Sequence, residues 1–124
     1  MLSALRSLSS GVIVLLSALP AAAHHSFAEF DLTQTIEVHG VVEEVWFNNP
    51  HIHYYLSATA EDGSQVSWDI YGSAPNNLVR QGWTRDSVKA GDVVTMVGNP
   101  AKQGVPRISL VKVIFADGRT LQRE

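Results

Sequence analysis

No cysteine occurs anywhere in the 124 residues. Disulfide staples, thiolate metal sites and a thiol nucleophile are thereby excluded. Charge is sparse as well, at 17% of residues, with 9 Lys and Arg against 12 Asp and Glu. The basic residues form no run, so the clustered cations that nucleic-acid phosphates demand are missing and nucleic acid is not an expected partner. No basic amphipathic segment marks a membrane surface, and neither a glycine-rich phosphate loop nor a helical His-Glu-x-x-His is present. No serine has a base and an orienting acid at a recognisable spacing, which leaves a serine nucleophile unsupported. Long apolar runs are lacking too: GVIVLLSAL, residues 11–19, falls short of the ~20 residues that a membrane-crossing helix needs.

That run reads instead as the middle of an export signal. Arg6 supplies the positive start, and Ala21 and Ala23 fill the small-residue positions ahead of His24. Cleavage after Ala23 is expected, because a cut after Ala22 would put Pro20 into one of those positions. Residues 1–23 are then a signal peptide, no membrane span remains, and the product is periplasmic or secreted with His24 at its head. The 101 residues left carry 8 basic and 12 acidic side chains, a formal charge of −4. A chain of that length holds one small domain.

What the chain does have is alternation. Residues 24–35 show no period and read as an extended arm, with Phe27 and Phe30 available to pin it. From Ile36 the apolar positions alternate, with a change of phase beside Gly40 that suggests a bulge or bend. Asn48-Asn49-Pro50 offers turn chemistry. His51 to Thr59 then puts Ile52, Tyr54, Leu56 and Ala58 on one face and His51, His53, Tyr55, Ser57 and Thr59 on the other.

Glu61-Asp62-Gly63 reads as a three-residue hairpin loop pairing Ala60 with Ser64. The register that follows sets Leu56 opposite Trp68, Tyr54 opposite Ile70, Tyr55 opposite Asp69 and His53 opposite Tyr71. Pro75 suits the first turn of a short helix that Gly82 can end. Two more strands follow, Val93 to Gly98 and Arg107 to Phe115, and Asp117-Gly118 turns the chain back toward Thr120 and Leu121. The expected fold is all-β with one short helix: a five-stranded OB-like barrel over residues 36–124, in the order β-β-β-α-β-β. Trp46, Trp68 and Trp83 are expected as core or rim aromatics.

These residues resemble an uncharacterised family of small exported bacterial proteins, a domain of unknown function. The likeness is carried by His24-His25-Ser26-Phe27 (HHSF), Trp46 with Asn49-Pro50-His51 (W-x-x-NPH), and Gly91-Asp92 before Val94 (GD-x-V). It implies export and a single domain, and brings no activity with it.

The candidate chemistry lies in the histidines. His24 and His25 stand at the expected new terminus, His51 and His53 on a strand, and His39 apart. Side chains at i and i+2 of a strand share a face, so His51 and His53 can converge on one ion with nitrogens about 2 Å from it. A freed His24 chelates through its α-amine and its ring together. The arm is long enough to fold back to the strand histidines. Asp69 lies diagonal to His53, and if Trp46 pairs with Ile52, Glu43 is diagonal to it as well; either carboxylate is a further ligand or orients an imidazole. His25 completes the candidate set. Without thiolates, imidazole, amine and carboxylate favour Cu(II), Zn or Ni, with Cu(II) strongest and Cu(II) or Zn the expected ion.

The leading expectation is an exported domain that binds a divalent metal through His24, His51 and His53, with His25, Glu43 and Asp69 around them. The rival is a non-catalytic periplasmic interaction module that binds a peptide, glycan or protein partner on the barrel face, its histidines merely solvated or stacked on Tyr55 or Tyr71. An oxidase built on the terminal histidine is chemically conceivable, but nothing in the sequence marks a substrate groove.

Overall fold

The computed structural model describes residues 27–124, so the expected cleavage point, His24 and His25 lie outside the described residues. The elements in order are β1 (Ile36–Trp46), β2 (His53–Thr59), β3 (Gln65–Tyr71), α1 (Pro75–Arg80), β4 (Val93–Pro100), β5 (Arg107–Phe115) and β6 (Thr120–Gln122). The hairpin of β2 and β3 has the expected register throughout: Leu56 faces Trp68, Tyr54 faces Ile70, Tyr55 faces Asp69 and His53 faces Tyr71. Its loop closes by hydrogen bonds from Ala60 N to Ser64 O and from Gly63 N to Ala60 O, at 2.8 and 2.9 Å.

The first five strands close into a barrel in the order β3-β2-β1-β4-β5, sealed where β3 runs parallel to β5. This is the OB-like arrangement, with the short helix between the third and fourth strands. The seal is brief: Asp69 faces Arg107, Ile70 faces Ile108 and Tyr71 faces Ser109. Inside lie Tyr54, Leu56, Ile70, Met96, Ile108 and Val113, all without exposure. Each of the aliphatic side chains and Met96 contributes roughly 1.5–3 kcal/mol by leaving water. Helix α1 starts on Pro75, buries Leu78 and is followed by Gly82 at φ +91°. Among the described residues no helix is long and apolar enough to cross a membrane.

Three details differ from the sequence reading. The change of phase in β1 comes from a bulge between Val42 and Glu44 rather than at Gly40. Gly40 is small for another reason: a Cβ there would sit 2.3 Å from the carbonyl oxygen of Ser57. The bulge shifts the pairing of β1 with β2, so Trp46 faces His53 rather than Ile52, and Glu44 faces Tyr55. Glu43 is therefore the extra residue of the bulge, and the carboxylate that shares the outer face with His53 and Tyr55 is Glu44. Second, β2 begins at His53, leaving His51 in the connection that follows the cis bond between Asn49 and Pro50. Third, the Asp117-Gly118 turn leads into a sixth strand, β6, paired with β5.

Candidate functional site

The site is built around Tyr71, on the outer face of the hairpin. Successive residues of β3 alternate in and out, so Asp69 and Tyr71 point outward with His53 and Tyr55 of β2. Tyr71 is nevertheless only 6% exposed. The arm covers it: Phe30 stacks on its ring at a centroid distance of 5.6 Å, and Phe27 meets it edge-on at 6.4 Å. His51 packs against the same ring at 4.6 Å and His53 at 5.4 Å. His53 also stacks on Tyr55 at 5.9 Å with an interplanar angle of 8°. One ring thus brings the arm and both strand-region histidines together.

Both histidines are held by their Nδ1 atoms. His53 Nδ1 lies 2.6 Å from Asp69 Oδ1, and His51 Nδ1 lies 3.1 Å from the carbonyl oxygen of Gly72. A carboxylate and a carbonyl can only accept, so Nδ1 must be the donor in each case. The lone pair of each neutral ring is left on Nε2. This is the arrangement that metal-binding imidazoles commonly have, with the remote N–H on an oxygen and the other nitrogen free to ligate.

The His51 segment is placed by backbone bonds, although it belongs to no strand. Ile52 N donates to Ser73 O at 3.1 Å and Gly72 N to Ile52 O at 2.9 Å, while Ile52 is wholly buried. A Cβ on Gly72 would lie 2.4 Å from Ile52 Cγ1, so glycine is needed where the carbonyl receives His51. Arg85 braces the start of the same connection by donating to Phe47 O at 3.1 Å.

Asp69 has a second partner. Its Oδ2 lies 3.0 Å from Arg107 Nε, an ion pair whose angle is too poor for a hydrogen bond. Arg107 in turn reaches Glu29 of the arm, its Nη1 lying 3.2 Å from that carboxylate. The guanidinium also sits 5.2 Å over the Tyr71 ring and 5.8 Å over the Phe30 ring. The arm is fixed further by Asp31 N donating to Pro100 O and Lys102 N to Glu29 O, at 2.8 and 2.9 Å. A continuous chain of contacts runs from Glu29 through Arg107 and Asp69 to His53. Partial burial, assisted by the nearby Asp69 and Glu44 carboxylates, pushes the Tyr55 phenol above its ordinary range.

Of the candidate residues, His51, His53 and Asp69 are brought together. Glu43 is displaced into the bulge, and His24 and His25 lie outside the described residues. His39 is separate, its ring held 3.1 Å from Thr95 Oγ1 on β4. Among the described residues no group of three or more His, Asp or Glu side chains could hold an ion. Asp69 is already engaged on both oxygens, which makes it an orienting group for His53. Sequence reasoning missed Arg107, Glu29 and Glu44. Pairing β3 with β5, as an OB-like barrel requires, would have pointed to Arg107; no local signal marks Glu29.

A family model covers residues 12–108 of the chain, described as a family of unknown function, DUF6152. The chain belongs to this family. DUF6152 carries no activity to transfer, so the chemistry must be argued from the site. Comparisons with curated proteins and with solved structures return no match.

Proposed function

We propose that the protein is a small exported domain that binds a divalent metal, Cu(II) ahead of Zn, through the Nε2 atoms of His51 and His53 and the terminal residue His24. The observation that carries the reading is the pair of Nδ1 hydrogen bonds, to Asp69 at 2.6 Å and to Gly72 at 3.1 Å, which leave both Nε2 lone pairs available. Two imidazoles make half a site, and the arm indicates the other half. Phe27 rests on the ring that both histidines touch. His24 is three residues upstream, within about 10 Å of extended chain. An α-amine and imidazole from His24, with His25 beside it, would complete a nitrogen-rich set suited to Cu(II) on the Irving–Williams order. The leader pattern that ends at Ala23 supports a periplasmic or secreted location and makes the site depend on correct processing.

The test is a Cu(II) titration of the chain beginning at His24 beside one extended by a single N-terminal residue. Submicromolar binding that weakens on extension, and again in His53→Ala, is expected. Micromolar or weaker binding in both forms overturns the proposal.

A second reading, a non-catalytic module for a peptide, glycan or protein partner, has one observation in its favour. Trp46 is 47% exposed and faces His53 across the strands, on the face where OB-like barrels commonly bind ligands. Binding of such a partner to metal-free protein, lost in Trp46→Ala and kept in His53→Ala, would select it.

A further inference from the structure

Between the arm, α1 and the last residues of the chain lies an open groove of about 640 Å³. Its volume falls within the range of small-molecule sites, about 300–1,000 Å³. Two large apolar side chains line it, Phe27 at 38% exposure and Leu32 at 60%. Two guanidiniums line it as well, from Arg80 and Arg123.

Neither arginine is neutralised: the ion pairs among the described residues involve other side chains. Among the described residues Arg80 makes no side-chain hydrogen bond, and Arg123 lies 5.6 Å over the Phe27 ring. The hydroxyl of Ser73 and the amide of Asn77 add uncharged donors. The one acidic side chain in the lining is Glu124, whose backbone N–H is anchored to Gln81 Oε1 at 3.1 Å.

We propose that this groove, bounded by Phe27, Leu32, Arg80 and Arg123, binds a small organic carboxylate with an apolar tail. The guanidinium fork matches a carboxylate in two parallel hydrogen bonds, which an ammonium cannot do. The apolar wall selects against bare inorganic anions, because only a ligand with a hydrocarbon body removes Phe27 and Leu32 from water. The proposal stands apart from the metal reading, since none of the residues it uses is a candidate metal ligand.

The experiment is a titration followed by amide chemical shifts, on the chain beginning at His24 with a chelator present. Octanoate is the probe, octan-1-ol has the tail without the charge, and acetate has the charge without the tail. Saturable shifts at Ser73, Asn77, Gln81 and Glu124 are expected with octanoate, with both analogues weaker by on the order of tenfold. Arg80→Gln, which breaks no hydrogen bond or ion pair among the described residues, should weaken octanoate about fivefold or more, because charged hydrogen bonds are lost. Adding Arg123→Gln should abolish binding. Equal binding of octan-1-ol, shifts centred elsewhere, no saturation, or an Arg80→Gln variant that binds as before would each overturn the proposal.

Discussion

At the scale of single residues, Asp69 does two things with one carboxylate: Oδ1 accepts from His53 and Oδ2 faces Arg107. Asp69→Asn keeps the shape and one acceptor but removes the charge that orients the imidazole. On the proposed metal reading, affinity for Cu(II) is expected to fall about 10–100-fold, as when other orienting partners are lost. Calorimetric titration beside a thermal melt separates that loss from unfolding, and unchanged affinity would refute the orienting role. The hydroxyl of Tyr54 presents the opposite case. It is buried in the barrel without a hydrogen-bond partner among the described residues, and burial pushes its phenol well above the ordinary value of 10. The folded state therefore holds this proton more tightly than the unfolded chain. That contribution is intact below about pH 10 and is lost as the pH rises beyond it. Urea melts should show stability falling above pH 10, with Tyr54→Phe flattening the fall and costing nothing at neutral pH. The contact of His53 with Asp69 was legible in the sequence, because a three-residue loop fixes the hairpin register. That of Asp69 with Arg107 was not, because nothing local fixes a parallel pairing between distant strands.

At the scale of elements, the arm is the piece whose role changed most between sequence and structure. Its lack of period suggested a loose lead-in with two aromatic pins. In the structure Phe30 is 1% exposed and its backbone bridges to Ala101, so the arm is part of the packed fold. Phe30→Ala should cost about 3–5 kcal/mol, the usual toll of a phenylalanine truncated in a core. A denaturant midpoint that hardly moves would show that the arm is dispensable. The bulge in β1 was half legible. A pattern can reveal that the phase of alternation changes, yet it cannot say which of several adjacent residues is the extra one, and Gly40 drew attention because glycine is common at bulges. Gly40 answers instead to the close approach of the Ser57 carbonyl. The departure of His51 from β2 was illegible for a related reason. Its alternation with Ile52 and His53 continues, but the backbone around it bonds to Gly72 and Ser73 beyond the end of β3.

At the scale of the whole molecule, Arg107 ties three parts of the chain together: the arm through Glu29, the hairpin through Asp69, and its own strand. Replacing it with methionine keeps much of the stem that packs near Phe30 and Tyr71 while removing the charge. Faster amide exchange is expected at Asp31, which donates from the arm to Pro100 O, and at Lys102, which donates to Glu29 O of the arm, with the barrel ladder left unchanged. Equal exchange in both proteins would show that the arm is held by its aromatic contacts alone.

The seam between β3 and β5 also sets an order of events during synthesis. It pairs Asp69–Tyr71 with residues of the final strand of the barrel, so a nascent chain has no means of closing until Arg107 to Ser109 have been made. Until then the outer edge of β3 stays bare. Emergence from one end thus keeps the barrel open until all but the last of the chain has been made.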